Sequence, residues 1–438
     1  MSGSPVTRVR ALSIHADYGC RSAGACCSSG WEIAVEPEAE GRIERGLASG
    51  RLRVLRRAAP VTASAWRRPV AGGPHAALLH DGAGACVFFD PGSRLCAVHR
   101  DAGEEALPSA CRQFPRVTTL TPLGVSVSLS HYCPTAAAML FRPSPSGPSP
   151  SRLSSRGTPV ASGPEGSADE GLAIVEAPPA FPATWPWEGL DAREALPPLL
   201  RPGVLMDWPS LERWERFCVS VFAEEGRSAE DALGLIETAA EEARRWTPER
   251  GPFGGFFEGV VARGGEGEGE GLGRGEGEGP ALPGALRDGF RYPRDPAGWG
   301  SRGWQLVADT VPHRALLPAA PGDLGEADDR WAAPAWSSLG RPVRRWLAAK
   351  AFASWLALQG EGLRTAVLGL RVSLGVLRAE ATRGCAQARR PLDPDLLKEA
   401  FRRADLLLVH LADPEALARR LSRVEAPAGA GRGWLDFP

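Results

Sequence analysis

Seven of the nine cysteines, Cys20, Cys26, Cys27, Cys86, Cys96, Cys111 and Cys133, fall within the first 133 of 438 residues, and two of them are adjacent. Thiols gathered like this mean a disulfide framework or a metal site. The number is odd. The N-terminus, MSGSPVTRVRALSIHADYGC, lacks the apolar core of a signal peptide, so a reducing, cytoplasmic setting is expected, in which thiolates stay available to metal. Thiolate-only ligation suits zinc or an iron–sulfur cluster. A closed site of this kind takes four ligands, so seven thiols exceed one site and fall short of two. His99, in CAVHR, and His131, two residues before Cys133, are the additional donors within reach in sequence.

Each thiol sits in a local pattern that bears on its reach. Cys20 is separated from the Cys26–Cys27 pair by small residues, Ala23, Gly24 and Ala25, which allow a tight return of the backbone. Adjacent cysteines on a strand point to opposite faces, so that pair is expected to serve two ions, or one ion and the core. Cys86 and Cys96 flank Asp90-Pro91-Gly92, which reads as a hairpin with one thiol on each arm. Cys111 follows in SACRQFPR. Cys133 precedes Pro134, an expected helix start. Cys218 and Cys385 are isolated and read as core residues. His15, His75, His80 and His313 have no motif around them, and His410, within LLLVHLA, reads as a core histidine with a hydrogen-bond partner.

The elements that must position these groups are few in the N-terminal part. A short helix is expected over Pro37 to Leu47, and strands over Cys86 to Phe89 and Gly124 to Ser130, the latter alternating with period two. The remainder reads as helical. Leu211, Trp214, Phe217, Cys218 and Val221 share one face of a helix, and Ser228 caps the next with Asp231 three residues on. A third helix opens at Pro342 and carries Trp346, Leu347, Phe352 and Trp355; a fourth runs from Leu363 to about Ala381; a fifth runs from Asp393-Pro394 to about Leu411; a last short one starts at Asp413-Pro414. The fold class expected is mostly α, with a small irregular α+β cysteine-rich N-terminal metal domain. Composition divides the chain into that domain at 1–142, a Pro/Ser/Gly-rich linker at 143–185, a helical region at 186–262, a Gly/Glu low-complexity insert at 263–284 and a C-terminal helical region at 285–438. The glutamates of the insert would repel a phosphate, so its glycines are not a phosphate loop.

A formal net charge of −1 gives no electrostatic case for nucleic acid or an anionic membrane, and no stretch is apolar for long enough to span a bilayer.

The stretch GACVFFDPGSRLCAVHRDAGEEALPSACRQFPR resembles the cysteine-cluster family described as a zinc- or iron-chelating domain, and within it the flagellin lysine-N-methylases. The resemblance rests on Cys26-Cys27-Ser28-Ser29-Gly30-Trp31, the Cys86/Cys96 hairpin, Cys111 to Arg116, and Cys133-Pro134, over residues 12 to about 142. The C-terminal helices resemble the helical half of those methylases more weakly. The resemblance implies a 4Fe-4S cluster or zinc held by the seven cysteines, and methyl transfer from S-adenosylmethionine to lysine amines of a flagellin-like protein. Members of that family usually carry a further cysteine between the first and the pair, where Ser22 to Ala25 stand here. Neither a Rossmann-type glycine signature nor a radical three-cysteine loop is present, and no catalytic base can be nominated from sequence. A non-catalytic zinc- or iron-chelating protein is the alternative reading.

Overall fold

The computed structural model describes residues 8–59, 64–69, 76–143, 171–265, 296–312 and 317–423. Most of the Pro/Ser/Gly linker, the Gly/Glu insert from residue 266 onward, His75 and His313 lie outside the described residues. The architecture is mixed and helix-rich, with small sheets.

The central sheet takes strands from distant parts of the chain. They are β1 (Val9–Leu12), β5 (Arg116–Thr121), β6 (Gly124–Leu129), β7 (Ile174–Glu176) and β8 (Leu190–Asp191), in the order β7-β1-β6-β5-β8. β5 and β6 form the antiparallel hairpin expected from period-two alternation, with Thr121 opposite Gly124. β1 runs parallel to β6, and β7, which falls inside the segment read as linker, pairs antiparallel with β1 at the sheet edge. Val125, Val127 and Leu129 bury one face. The polar face is buried too: Ser126 accepts from Arg10 Nη2 at 2.7 Å, and Ser128 Oγ donates to the Ala349 carbonyl at 3.0 Å. That second face is where the helices dock.

A smaller sheet, β2 (Ala34–Val35), β4 (Ala76–Leu78) and β3 (Arg67–Pro69), supports helix α1 (Pro37–Ala48) and a separate core that includes Ile43, Val87 and Phe88. Two short helices follow, α2 (Ser109–Gln113) and α3 (Pro134–Met139). A two-stranded ribbon of β9 (Leu199–Arg201) and β10 (Val204–Leu205) leads into the helical part.

The helical part comprises α4 (Trp208–Ala223), α5 (Ala229–Ala243), α6 (Phe253–Gly265), α7 (Pro296–Ala308), α8 (Gly340–Ala351), α9 (Trp355–Gln359), α10 (Leu363–Ala388), α11 (Pro394–Asp405) and α12 (Pro414–Ser422). Caps begin several of these as the sequence dictates. Asp207 accepts from the Ser210 N–H, Ser228 from the Asp231 N–H, Asp393 from the Leu396 N–H and Asp413 from the Ala416 N–H. α10 lies at the centre of the largest core, and its arginines are neutralised by neighbours rather than solvated. Arg364 pairs with Glu241 at 2.9 Å, Arg371 with Glu237, and Arg378 with Asp328 at 2.7 Å.

One expectation fails for a tertiary reason. The third helix does not continue through Trp355: it breaks at Phe352–Ser354, where Ala353 has φ 57°. The buried Glu215 carboxylate captures the Ala353 N–H at 3.0 Å, and Thr119 Oγ1 donates to the Ala353 carbonyl at 3.0 Å. The fifth helix reaches Leu411 as expected, but its last turn, Leu406–Leu411, is π-helical.

Candidate metal centre

The thiols come together through loops rather than long elements. Cys26 and Cys27 lie in a 3-10 turn, Ala25–Cys27, and not on a strand, so they do not diverge: their sulfurs are 3.7 Å apart. Gly24 begins this turn with φ 76°, and a Cβ there would lie 2.8 Å from the Phe89 ring. The turn docks on the Cys86/Cys96 segment. The Cys86 N–H donates to the Cys27 carbonyl at 2.7 Å, and Arg94 donates to the Ala23 carbonyl.

The expected strand at Cys86 to Phe89 is reduced to isolated bridges, His80 to Cys86 and Phe89 to Cys96. The hairpin itself is present. Asp90 turns it, with its carboxylate accepting from the Gly92 N–H at 2.9 Å and the Ser93 hydroxyl at 2.8 Å. Cys111 stands on α2 and packs with Cys27, Cys86 and Cys96 against the core of the small sheet. Cys133 caps α3, where its sulfur meets the Tyr18 hydroxyl at 3.7 Å. Cys20 is exposed.

The thiols shift one another's ionisation. Interaction with Cys27 lowers Cys26 and Cys96, Cys96 to about 7, and raises Cys27 itself; either sulfur of the Cys26–Cys27 pair can be the donor. The backbone N–H groups of His99 and Val98 also contribute to lowering Cys96. Burial pushes Cys86 up to about 12 and raises Cys111 and Cys20. These three remain thiols at neutral pH unless a cation displaces the proton.

The two additional histidines are placed elsewhere. His99 is exposed, and what reaches Cys96 is its backbone N–H. His131 is fully buried with both ring nitrogens partnered: Nε2 lies 3.2 Å from His15 Nε2, and Nδ1 lies 3.2 Å from Asp405 Oδ2. His15 is therefore part of a buried polar chain, a feature its sequence context did not signal.

The residues present fit a thiolate-bound ion in donor chemistry and in one edge. A tetrahedron with metal–sulfur bonds of about 2.3 Å has sulfur–sulfur edges of about 3.8 Å, close to the 3.7 Å between Cys26 and Cys27. Buried N–H donors without partners, Trp31 Nε1, Arg112 Nε and Arg116 Nε, occur in the same segments as the thiols. Arg116 stacks on Trp185 at 4.5 Å and, among the described residues, has no carboxylate in ion-pair contact. Burial lowers its guanidinium, with Tyr18 and Cys20 among its electrostatic neighbours. Among the described residues no group of three or more Cys, His, Asp or Glu side chains is arranged to hold an ion as it stands. Loading would therefore turn further thiols inward.

A cavity of about 250 Å³ adjoins this region. Trp31, four residues after Cys27, stacks on His410 at a centroid distance of 4.5 Å and on Tyr132 at 5.1 Å. His410 lines the cavity together with Lys350 and Ser128, and its Nε2 lies 2.7 Å from Ser130 Oγ. Beneath the wall, Asp405 accepts from Lys350 Nζ at 2.6 Å, the His131 N–H at 2.6 Å and Trp346 Nε1 at 3.0 Å. Burial alone would raise the Asp405 carboxyl, but Lys350 and His131 outweigh it and hold it well below the usual carboxylate range. His410 drops to about 4, chiefly through burial, so it is neutral at physiological pH.

Comparison with protein-family models, with curated proteins and with solved structures finds no match for this chain. Among the described residues no helix is long and apolar enough to cross a membrane.

Proposed function

We propose that this chain is a thiolate metal protein, with zinc or an iron–sulfur cluster held by ligands drawn from Cys20, Cys26, Cys27, Cys86, Cys96, Cys111 and Cys133. The observation that carries the reading is the 3.7 Å contact of the Cys26 and Cys27 sulfurs, with Cys86, Cys96 and Cys111 packed in the same core that Cys27 joins. Buried thiols facing one another over a few ångströms give little as hydrophobes. As thiolates around a cation they satisfy the ion, while unpartnered N–H groups nearby offset the negative charge.

Protein purified without oxygen is to be analysed for iron, sulfide and zinc and by visible spectroscopy. Cys27→Ala, Cys86→Ala and Cys111→Ala are each expected to lose metal and loosen the N-terminal region, because binding and folding are coupled in such sites. Unchanged stoichiometry in all three variants refutes the assignment.

A catalytic form of this reading is methyl transfer from S-adenosylmethionine to lysine amines of a flagellin-like protein. The observation in its favour is that the cavity meets the cysteine segment through Trp31 and His410. Transfer needs a neutral amine away from water, which a desolvating cavity promotes. Incubation of anaerobically prepared protein with labelled S-adenosylmethionine and flagellin tests it, and no incorporation sinks it. Zinc without sulfide, together with no incorporation, leaves the non-catalytic chelating form.

A further inference from the structure

The cavity has a chemical bias of its own. Its wall comes from β5, β6, the α8–α9 break, α10, the π-helical turn and α12, and it is apolar over Phe352, Leu356, Leu370, Leu408 and Leu417. Its charged lining residues are Arg116 and Lys350, with no carboxylate among them. The Arg116 guanidinium is directed to the rings of Tyr18, Phe181 and Trp185, which leaves Lys350 as the cation for an occupant. The Lys350 ammonium is paired with Asp405 Oδ1 at 2.6 Å and lies over the Trp346 ring at 5.3 Å, while a lysine ammonium has three N–H donors. His410 stands beside it as a neutral imidazole that can donate or accept.

The choice of lysine is itself informative. Of 51 lysines and arginines in the chain only two are lysine, Lys350 and Lys398. The cavity wall keeps a compact ammonium on a flexible stem in a protein that otherwise uses guanidinium groups. An ammonium with spare donors, a neutral imidazole and an apolar body together suit a chain with one anionic end. A volume of about 250 Å³ is close to the lower end of small-molecule pockets, about 300 Å³.

We infer that this cavity binds a medium-length apolar carboxylate, with its head at Lys350 and His410 and its tail along Leu370, Leu408 and Leu417. Among the described residues no cysteine lines the cavity, so the head-group preference is read separately from metal content, and its failure is distinguishable from failure of the metal assignment.

Isothermal titration of the full chain with decanoate, decanol and decylamine reads the head-group preference directly. Decanoate is expected to bind about tenfold or more tighter than either of the others, a margin of about 1.4 kcal/mol. Leu408→Trp, which places an indole in the cavity from a half-buried position, is expected to weaken decanoate by about tenfold or more. Lys350→Met is expected to abolish the preference for decanoate over decanol. The Leu408→Trp variant and the head-group series on the unaltered protein keep the test valid where Lys350→Met fails to fold. Decylamine binding as tightly as decanoate overturns the inference and matches instead the amine substrate of methyl transfer. No heat from decanoate, or unchanged affinity in Leu408→Trp, also overturns it.

Discussion

Replacing His410 with glutamine should change how the stability of this protein depends on pH. The imidazole is held to about 4 in the fold against 6.5 for a free histidine, chiefly by burial. The sign follows from proton uptake. Between those two values the unfolded chain binds a proton that the folded chain refuses, so the stability present above about pH 6.5 is lost as pH falls toward 4, and the loss is complete below it. At pH 5 the linkage amounts to about 2 kcal/mol relative to pH 8. Glutamine keeps a polar partner for Ser130 Oγ, which sits 2.7 Å from His410 Nε2, and does not titrate. Urea unfolding of both proteins, followed by tryptophan fluorescence at pH 8, 6.5 and 5, measures the effect. The stability difference between the two proteins should shift by about 2 kcal/mol in favour of the variant as pH falls to 5. Taking a difference cancels acid effects on the thiols, which both proteins share. Parallel profiles, agreeing within about 0.5 kcal/mol at all three pH values, would refute the argument that burial holds this histidine neutral.

Asp405→Ala should be costly, by about 3–5 kcal/mol, because it strands a buried ammonium. Lys350, the His131 N–H and Trp346 Nε1 all lose their acceptor, and a denaturant midpoint measures the loss. Gly24→Ala should destabilise by about 1–2 kcal/mol through its left-handed backbone alone. It should also lower metal retention, since a Cβ there displaces the Phe89 ring beside the Cys26–Cys27 turn; calorimetry and metal analysis check both parts. Cys218→Ala should cost roughly 1 kcal/mol for a lost core sulfur and leave metal content unchanged, because Cys218 is fully buried on α4 among apolar side chains.

Much of the local structure was legible because its causes are local. Asp207, Ser228, Asp393 and Asp413 cap the helices their positions suggest. The alternation of Gly124–Leu129 produces the strand, and Asp90 turns the hairpin between Cys86 and Cys96. Cys27, Cys86, Cys96 and Cys111 share one core, whereas Cys133 packs in another and Cys20 is exposed, which clustering in sequence did not distinguish.

What sequence could not decide depends on groups far apart along the chain. A period-two strand does not say that its serine face is buried, because the Arg10 and Ala349 groups that satisfy it come from β1 and α8. A helical pattern does not say that it breaks at Ala353, because Glu215 and Thr119 capture that backbone from other elements. His131 was a candidate ligand by proximity to Cys133, and only the folded chain assigns its nitrogens to His15 and Asp405. The cavity with Lys350 and His410 on its wall has no sequence signature at all, since its surface comes from two strands, a helix break, two further helices and a π-helical turn. Sequence therefore determined the short elements and where the thiols lie along the chain, because capping, turns and periodicity act over a few residues. The tertiary structure decided which of those residues meet, because burial, ion pairing and helix breaks are set by partners that may stand hundreds of positions away.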